Sequence, residues 1–284
     1  MARQVAVVTD STSYLPTEMA AEHGIVKVPV QVIISGKCYL EGVDISTEEV
    51  AQALREWKPV STSRPSPAAF AEVYDKLAAE GAEEIVSAHL SSDLSGTYQT
   101  ALLASKESPV PVRAVDSRSL AMSLGFACIS GAEAAEGGGD ADVVARTILG
   151  RATRSHIYFY VDTLEYLKRG GRMSSTAAAF GGAMRIKPIL HLKDGRVEML
   201  EKARTSGKAL ARLTDLAMSA IHAAGNDVDV AVHHIDALDR ADELAWYIGE
   251  RVPGINIVRS EIGAVVGAHV GPGVVAVVVA PRSW

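Results

Sequence analysis

One pattern constrains this chain more than any other. Through the first half, short β-branched runs end in polar turns and give way to helical patterns. Val5 to Val8 stops in Thr9-Asp10-Ser11-Thr12-Ser13, and Pro16-Thr17-Glu18 then opens a helix ending near Gly24. Ile85 to Leu90 stops in Ser91-Ser92-Asp93-Leu94-Ser95-Gly96, and a helix follows from Thr97 to Lys106. Val110 to Val115 stops in Asp116-Ser117, and a small-residue helix follows through about Glu136. Asp140 begins another helix, roughly to Thr153. Strand and helix in alternation predict a parallel sheet covered by helices. Ligand sites in such sheets gather at the C-terminal ends of the strands.

The middle turn, Ser91 to Thr100, stands out within that frame. A strand-to-helix turn directs free backbone N–H groups and the positive end of a helix dipole at one spot. That spot suits a carboxylate or phosphate. The simpler alternative, that Ser95 only caps the helix, is left open by this segment alone. Asp10 and Ser11 read first as turn and cap residues.

Between these units lie further elements. Ile25 to Ile34 is an apolar, β-branched run holding Pro29, and Ser35-Gly36-Lys37 turns the chain. Ser46-Thr47-Glu48-Glu49 has capping-box spacing before the helix of Val50, Leu54 and Trp57. Pro59 to Pro67 is a Pro/Ser/Thr-rich break, which reads as a solvated loop over Thr62, Ser63 and Arg64. Ser66 then caps a helix with Pro67 at its first position, Phe70, Val73, Tyr74 and Leu77 on one face, and Gly81 at its stop.

After Ile157-Tyr158-Phe159-Tyr160-Val161 the grammar changes. Leu167 to Ser174 is a basic, glycine-bearing turn, followed by small residues from Thr176 to Ala183. Lys193-Asp194-Gly195-Arg196 between apolar runs predicts a hairpin. A long helix spans about Gly207 to Ala224, and strands are expected at Val228 to His233 and Ile255 to Val258 with a helix between them. Gly267-Ala268-His269-Val270-Gly271-Pro272-Gly273 reads as a loop before a last strand, Val274 to Ala280. The expected organisation is an α/β protein of two domains. Residues 1–157 form a parallel, Rossmann-like domain, and 158–284 an α+β domain with a mixed or antiparallel sheet. The segment about 58–80 is expected to pack with the second domain.

Composition narrows the function. The chain has 284 residues, enough for a substantial core. Aromatics make up 5%, too few for base-stacking platforms, and the net charge of −6 opposes a nucleic-acid surface. No secretory leader and no bilayer-length apolar run is visible, so the expected location is cytoplasmic, with at most transient membrane contact. Cys38 and Cys128 stand in unrelated contexts, without disulfide or zinc spacing.

Several chemical signatures are incomplete. Thr205-Ser206-Gly207-Lys208 is followed by Ala209, so the phosphate-loop pattern for ATP is not met. Leu94-Ser95-Gly96 is not a nucleophile elbow. His233 and His234 alternate along a strand and face opposite sides, while His191 and His222 have no partner at metal spacing. What remains is hydroxyls, glycine turns, a lone histidine and a few arginines. That inventory favours holding an anion over breaking a bond.

Seven segments together resemble the DegV family. They are Val8-Thr9-Asp10-Ser11, Thr62-Ser63-Arg64-Pro65-Ser66, Ser91-Ser92 to Tyr98, Gly170-Gly171-Arg172, Ile186-Lys187-Pro188-Ile189-Leu190, Ala203-Arg204-Thr205 and the stretch 267–273. The resemblance implies two α/β domains with a long-chain fatty acid between them. It further implies a binding subunit of a bacterial fatty acid kinase system. Such a subunit has no ATP site or cofactor of its own. It presents the carboxylate to a separate ATP-binding kinase protein, which makes acyl phosphate for phospholipid synthesis. The carboxylate ligands implied are Thr62, Ser95 and His269, with Ser63, Gly96 and Thr97 as neighbours and Ser92 as the competitor to Ser95. Arg172 and Arg204 match residues linked to phosphotransfer or partner docking.

The chain departs from that family at Arg64, where glutamine is common, at Ala183-Met184-Arg185, and at Cys38 and Glu41. Two rival readings remain: a serine hydrolase or acyltransferase using Ser95 and His269, and a non-lipid regulatory protein on the same fold.

Overall fold

A computed structural model of the chain describes residues 4–173 and 186–282. The small-residue run Thr176 to Ala183 and the departure at 183–185 lie outside the described residues. The chain divides into two compact units, one of residues 1–31 and 63–154, the other of 32–62 and 155–284.

The first unit holds strands β1 (Val5–Asp10), β2 (Val26–Val28), β6 (Glu84–His89) and β7 (Val112–Asp116) in the order β2-β1-β6-β7, all parallel. Its helices are α1 (Thr17–Glu22), α3 (Pro67–Ala79), α4 (Thr97–Ala104), α5 (Ala121–Glu136) and α6 (Ala141–Arg154). Side chains alternate along a strand. Ala6 and Val8 of β1 and Ile85 of β6 pack with Phe70, Tyr74 and Leu77 of α3 and Ala101 and Ala104 of α4. Helices α5 and α6 contact β1 and β6 as well. They also meet closely at Gly131, where a Cβ would lie 2.5 Å from Ile148 Cγ1. The strand order reverses direction at the β1/β6 pair, so the C-terminal ends of these two strands are the topological switch point. The Asp10 turn and the Ser91 turn leave from there.

The second unit holds two sheets. A three-stranded one takes β3 (Gln31–Ile34), β4 (Lys37–Leu40) and β5 (Val60–Ser63) in the order β4-β3-β5, with α2 (Thr47–Arg55) between β4 and β5 in the chain. The six-stranded one takes β8 (His156–Tyr160), β9 (Lys187–Lys193), β10 (Arg196–Ala203), β11 (Val228–His234), β12 (Asn256–Glu261) and β13 (Val275–Pro281) in the order β10-β9-β8-β13-β11-β12. Only its β11–β12 pair is parallel. Two helices, α8 (Ser206–Ala223) and α9 (Leu238–Arg251), supply Leu210, Leu213, Ile221, Leu244 and Ile248 to one core with Val230, Val232, Val275 and Val277. Short helices α7 (Glu165–Arg169) and α10 (Ala264–Val270) complete the unit.

Local chemistry explains most boundaries. Ser46 and Glu49 close a reciprocal capping box on α2. Asp194 (φ +48) and Gly195 (φ +81) make the two-residue turn of the β9–β10 hairpin, both in the left-handed region that such a turn requires.

Four expectations change. The run Ile25 to Ile34 is two strands in different sheets, because Pro29 has no N–H for a ladder and breaks it. Thr62 and Ser63 lie in strand β5 rather than a loop. Residues 264–270 are helical, so His269 sits on the last turn of α10. The compact units also differ from a single cut near residue 157. Residues 32–62 group with the second unit, since Glu41 Oε1 accepts from the N–H of Val265 (2.8 Å) and Thr47 Oγ1 donates to the carbonyl of Ile262 (3.1 Å).

Candidate functional site

The residues singled out by sequence fall into two groups, one in each unit.

In the second unit, Thr62 and His269, 207 positions apart, meet at 2.9 Å between Oγ1 and Nε2. Strand β5 brings the first and α10 the second. Two glycines fix the histidine's setting. A Cβ on Gly170, just after α7, would lie 2.2 Å from His269 Nδ1, so the Gly170 backbone closes off that nitrogen. Its φ of −73° is ordinary, and close approach alone accounts for the glycine. Gly271, just after α10, has φ +77°, and a Cβ there would lie 2.2 Å from Tyr166 Cδ2 of α7. These contacts lock α7 against α10.

Burial, and then the nearby Arg172 charge, pushes the His269 pKa down to about 4. The imidazole is therefore neutral at pH 7 and carries one hydrogen. Nδ1 is buried without a hydrogen-bond partner and faces the Gly170 backbone. A bare nitrogen suits that position better than an N–H, whose burial unpaired is costly. The hydrogen then sits on Nε2 and donates to Thr62 Oγ1. The Thr62 hydroxyl hydrogen is left to point elsewhere, a neutral donor of the kind that a buried carboxylate needs. With Nε2 engaged and Nδ1 walled off, neither ring nitrogen is free to act as a general base, and a histidine with a pKa near 4 is a weak one at pH 7. Arg172 donates through Nη1 to the carbonyl of Gly170 at 2.6 Å. Arg204 is exposed beside Thr205, which caps α8 by accepting from the N–H of Lys208.

The same depression gives a pH prediction. An unfolded histidine binds its proton near pH 6.5, whereas His269 and the fully buried His233 bind theirs only near pH 4. Between those values the unfolded chain holds more protons, so stability falls as pH drops from 6.5 toward 4. A urea midpoint measured at pH 7 and again at pH 5 should be lower at pH 5 and should recover when the pH is restored. An unchanged midpoint would count against the burial assigned to these rings.

In the first unit, Ser95, Gly96 and Thr97 open α4. The N-cap residue is Gly96, not Ser95. Ser95 Oγ lies 2.9 Å from Thr97 Oγ1 and accepts from the Thr97 N–H at 3.3 Å, an ST turn one residue early. Thr97 is fully buried, and Ser95 and Gly96 are half-buried. Ser92 is anchored through its N–H to Asp116 Oδ1 at 3.1 Å. Ser63 Oγ approaches the carbonyl of Arg64. The Arg64 side chain itself lies over Gly96, where a Cβ would meet Nη1 at 2.6 Å.

Behind this turn runs a polar chain that sequence reasoning missed. Tyr74 OH donates to Ser87 Oγ (2.9 Å), Ser87 Oγ lies 2.7 Å from His89 Nε2, and His89 Nδ1 lies 3.1 Å from Asp10 Oδ2. Ser87, His89, Asp10 and Tyr74 are all fully buried. One direction satisfies every member: tyrosine to serine, serine to Nε2, and Nδ1–H to the carboxylate. Asp10 also accepts from the N–H of Leu90 at 3.0 Å and from Thr12 through both N–H and Oγ1. The carboxylate thus joins the ends of β1 and β6. Burial pushes the Tyr74 hydroxyl up to about 12. The signal was available: Ser87 and His89 are two apart, hence on one face of β6, and the parallel register pairs Val8 with Ser87, which carries Asp10 toward His89.

Among the described residues, no three His, Cys, Asp or Glu side chains come together as a metal site, and no helix is long and apolar enough to cross a membrane.

Comparison with known proteins places this architecture. A family profile described as "Uncharacterised protein, DegV family" matches residues 4–282. A DegV domain-containing protein of Streptomyces coelicolor is 51% identical over 283 residues, covering 99% of this chain and 100% of that protein. A Thermus thermophilus DegV family structure described by its fatty acid binding superposes with a TM-score of 0.89 at 33% identity, over 98% of this chain and 100% of that one. DegV of Bacillus subtilis, described as a fatty acid binding protein, gives 0.89 at 29% identity over 99% and 100%. The chain belongs to the DegV family.

Proposed function

We propose that this protein binds a long-chain fatty acid and presents its carboxylate to a separate ATP-dependent kinase protein, which converts it to acyl phosphate for lipid synthesis. The observation that carries the reading is the Thr62–His269 pair. Two residues from distant motifs meet as neutral hydrogen-bonding groups, one held by a glycine wall. Neutral donors suit an ionised carboxylate, since they satisfy it without an added buried charge. The hydroxyl turn at Ser95, Gly96 and Thr97, with Ser92 just before it in sequence, is the second donor set, and Ser63 follows Thr62 in the chain. Fatty acid binding by the Thermus and Bacillus relatives supports the ligand class. Each acyl CH₂ buried contributes about 0.8 kcal/mol, so the tail supplies most of the affinity and the polar groups fix orientation. Arg172 and Arg204 serve phosphotransfer or docking of the kinase protein.

Mass spectrometry of lipid extracted from the purified protein tests the first half, together with uptake of added oleate. Copurified or captured fatty acid is the expected result. Neither would overturn the reading. For the second half, Arg172→Ala should keep its lipid and lose phosphotransfer with the kinase present. Equal loss of lipid would move Arg172 into the binding set.

A further inference from the structure

The helix that carries His269 does not cap itself. Helix α10 has seven residues and starts from Gly263, which has no side chain to accept from the first-turn N–H groups. So short a helix is marginal on its own, and its leading N–H groups need partners. A partner comes from 224 positions earlier: Glu41 Oε1 accepts from the Val265 N–H at 2.8 Å. Glu41 lies between β4 and α2, bridged to Ile45, in a turn where Gly42, Val43 and Asp44 are exposed. Glu41 itself is turned inward, at 5% exposure. A buried carboxylate is costly unless hydrogen-bonded, and here it meets the positive end of a helix dipole.

His269 stands four residues beyond Val265, one turn along the same face of α10. The helix that Glu41 holds at its start therefore brings Nε2 to Thr62 at its end. Gly271 against the Tyr166 ring fixes that end, so α10 is gripped at both. From these contacts we infer that Glu41 is a positioning residue: it sets the placement of α10, and through it the Thr62–His269 pair that meets the head group. The inference rests on the fatty acid reading and deepens it.

Oleate affinity and the nitrogen NMR signals of the His269 ring provide the test, on the wild type, Glu41→Ala, Glu41→Gln and Glu41→Asp. Glu41→Ala should weaken oleate about five- to ten-fold, no more than loss of the imidazole itself, and should replace the single His269 tautomer by a mixture. Glu41→Gln keeps an acceptor oxygen and should recover affinity to within about two-fold of wild type. Glu41→Asp is one methylene shorter and should fall between. Ile248→Val, in the core shared by α8 and α9, serves as the stability control. It should lower the urea midpoint and leave both oleate affinity and the His269 signals unchanged. Suppose instead that Glu41→Ala lowers the midpoint yet keeps affinity and His269 signals, or that Glu41→Asp does so where the alanine form does not fold. Glu41 would then be a structural cap only, and fatty acid binding would stand. Failure of the wild type to bind any oleate would overturn the fatty acid reading, whereas the His269 signals would still decide whether Glu41 places the ring.

Discussion

Asp10→Ala should cost the first unit about 3–5 kcal/mol, because it leaves several fully buried donors without an acceptor. The carboxylate accepts from Thr12, Leu90 and the His89 ring, and all of these surroundings are closed to solvent. Alanine would strand four buried donors at once, each costing about 1–3 kcal/mol unless water enters. Asp10→Asn keeps the shape but turns one acceptor into a donor, so a smaller loss is expected. Chemical denaturation of the two variants measures both. A loss under about 1 kcal/mol for Asp10→Ala would mean that the β1 and β6 ends are not tied through this group. The effect reaches function because Leu90 leads straight into the Ser91 turn. Loosening that peptide loosens Ser92 through Thr97.

Gly170→Ala should weaken fatty acid retention about as much as His269→Ala, roughly ten-fold, because either change removes the Nε2–H bond that orients the Thr62 hydroxyl toward the carboxylate. The added methyl would sit 2.2 Å from Nδ1, and the imidazole must turn away from Thr62. Overpacking of this kind also costs about 1–3 kcal/mol of stability. The double variant separates displacement from general damage. With the imidazole already gone, Gly170→Ala should add little, so the two losses should not sum. Additive losses would show that Gly170 acts through something other than the histidine. Circular dichroism on each variant checks that the fold persists.

Much of this was legible in the sequence, and the reason is local chemistry. The parallel sheet followed from strand–turn–helix repetition, the β9–β10 hairpin from Asp194-Gly195, and the α2 and α3 starts from Ser46 and from Ser66 with Pro67. Non-local facts were harder. Thr62 looked like loop because hydroxyls and prolines dominate its neighbourhood, yet pairing of β5 in the three-stranded sheet overrides that composition. His269 looked like loop because glycines surround it, yet those glycines serve close approach after a helix rather than flexibility. His89 was absorbed into an apolar run. Only the register between β1 and β6 shows that it has a carboxylate to meet.

Gly170 has one further consequence. Its carbonyl receives the Arg172 guanidinium, while its bare α-carbon backs the His269 ring. A change at either side chain is therefore felt by the other through a single peptide: moving the guanidinium shifts the carbonyl, and shifting the carbonyl moves the surface against which the ring rests.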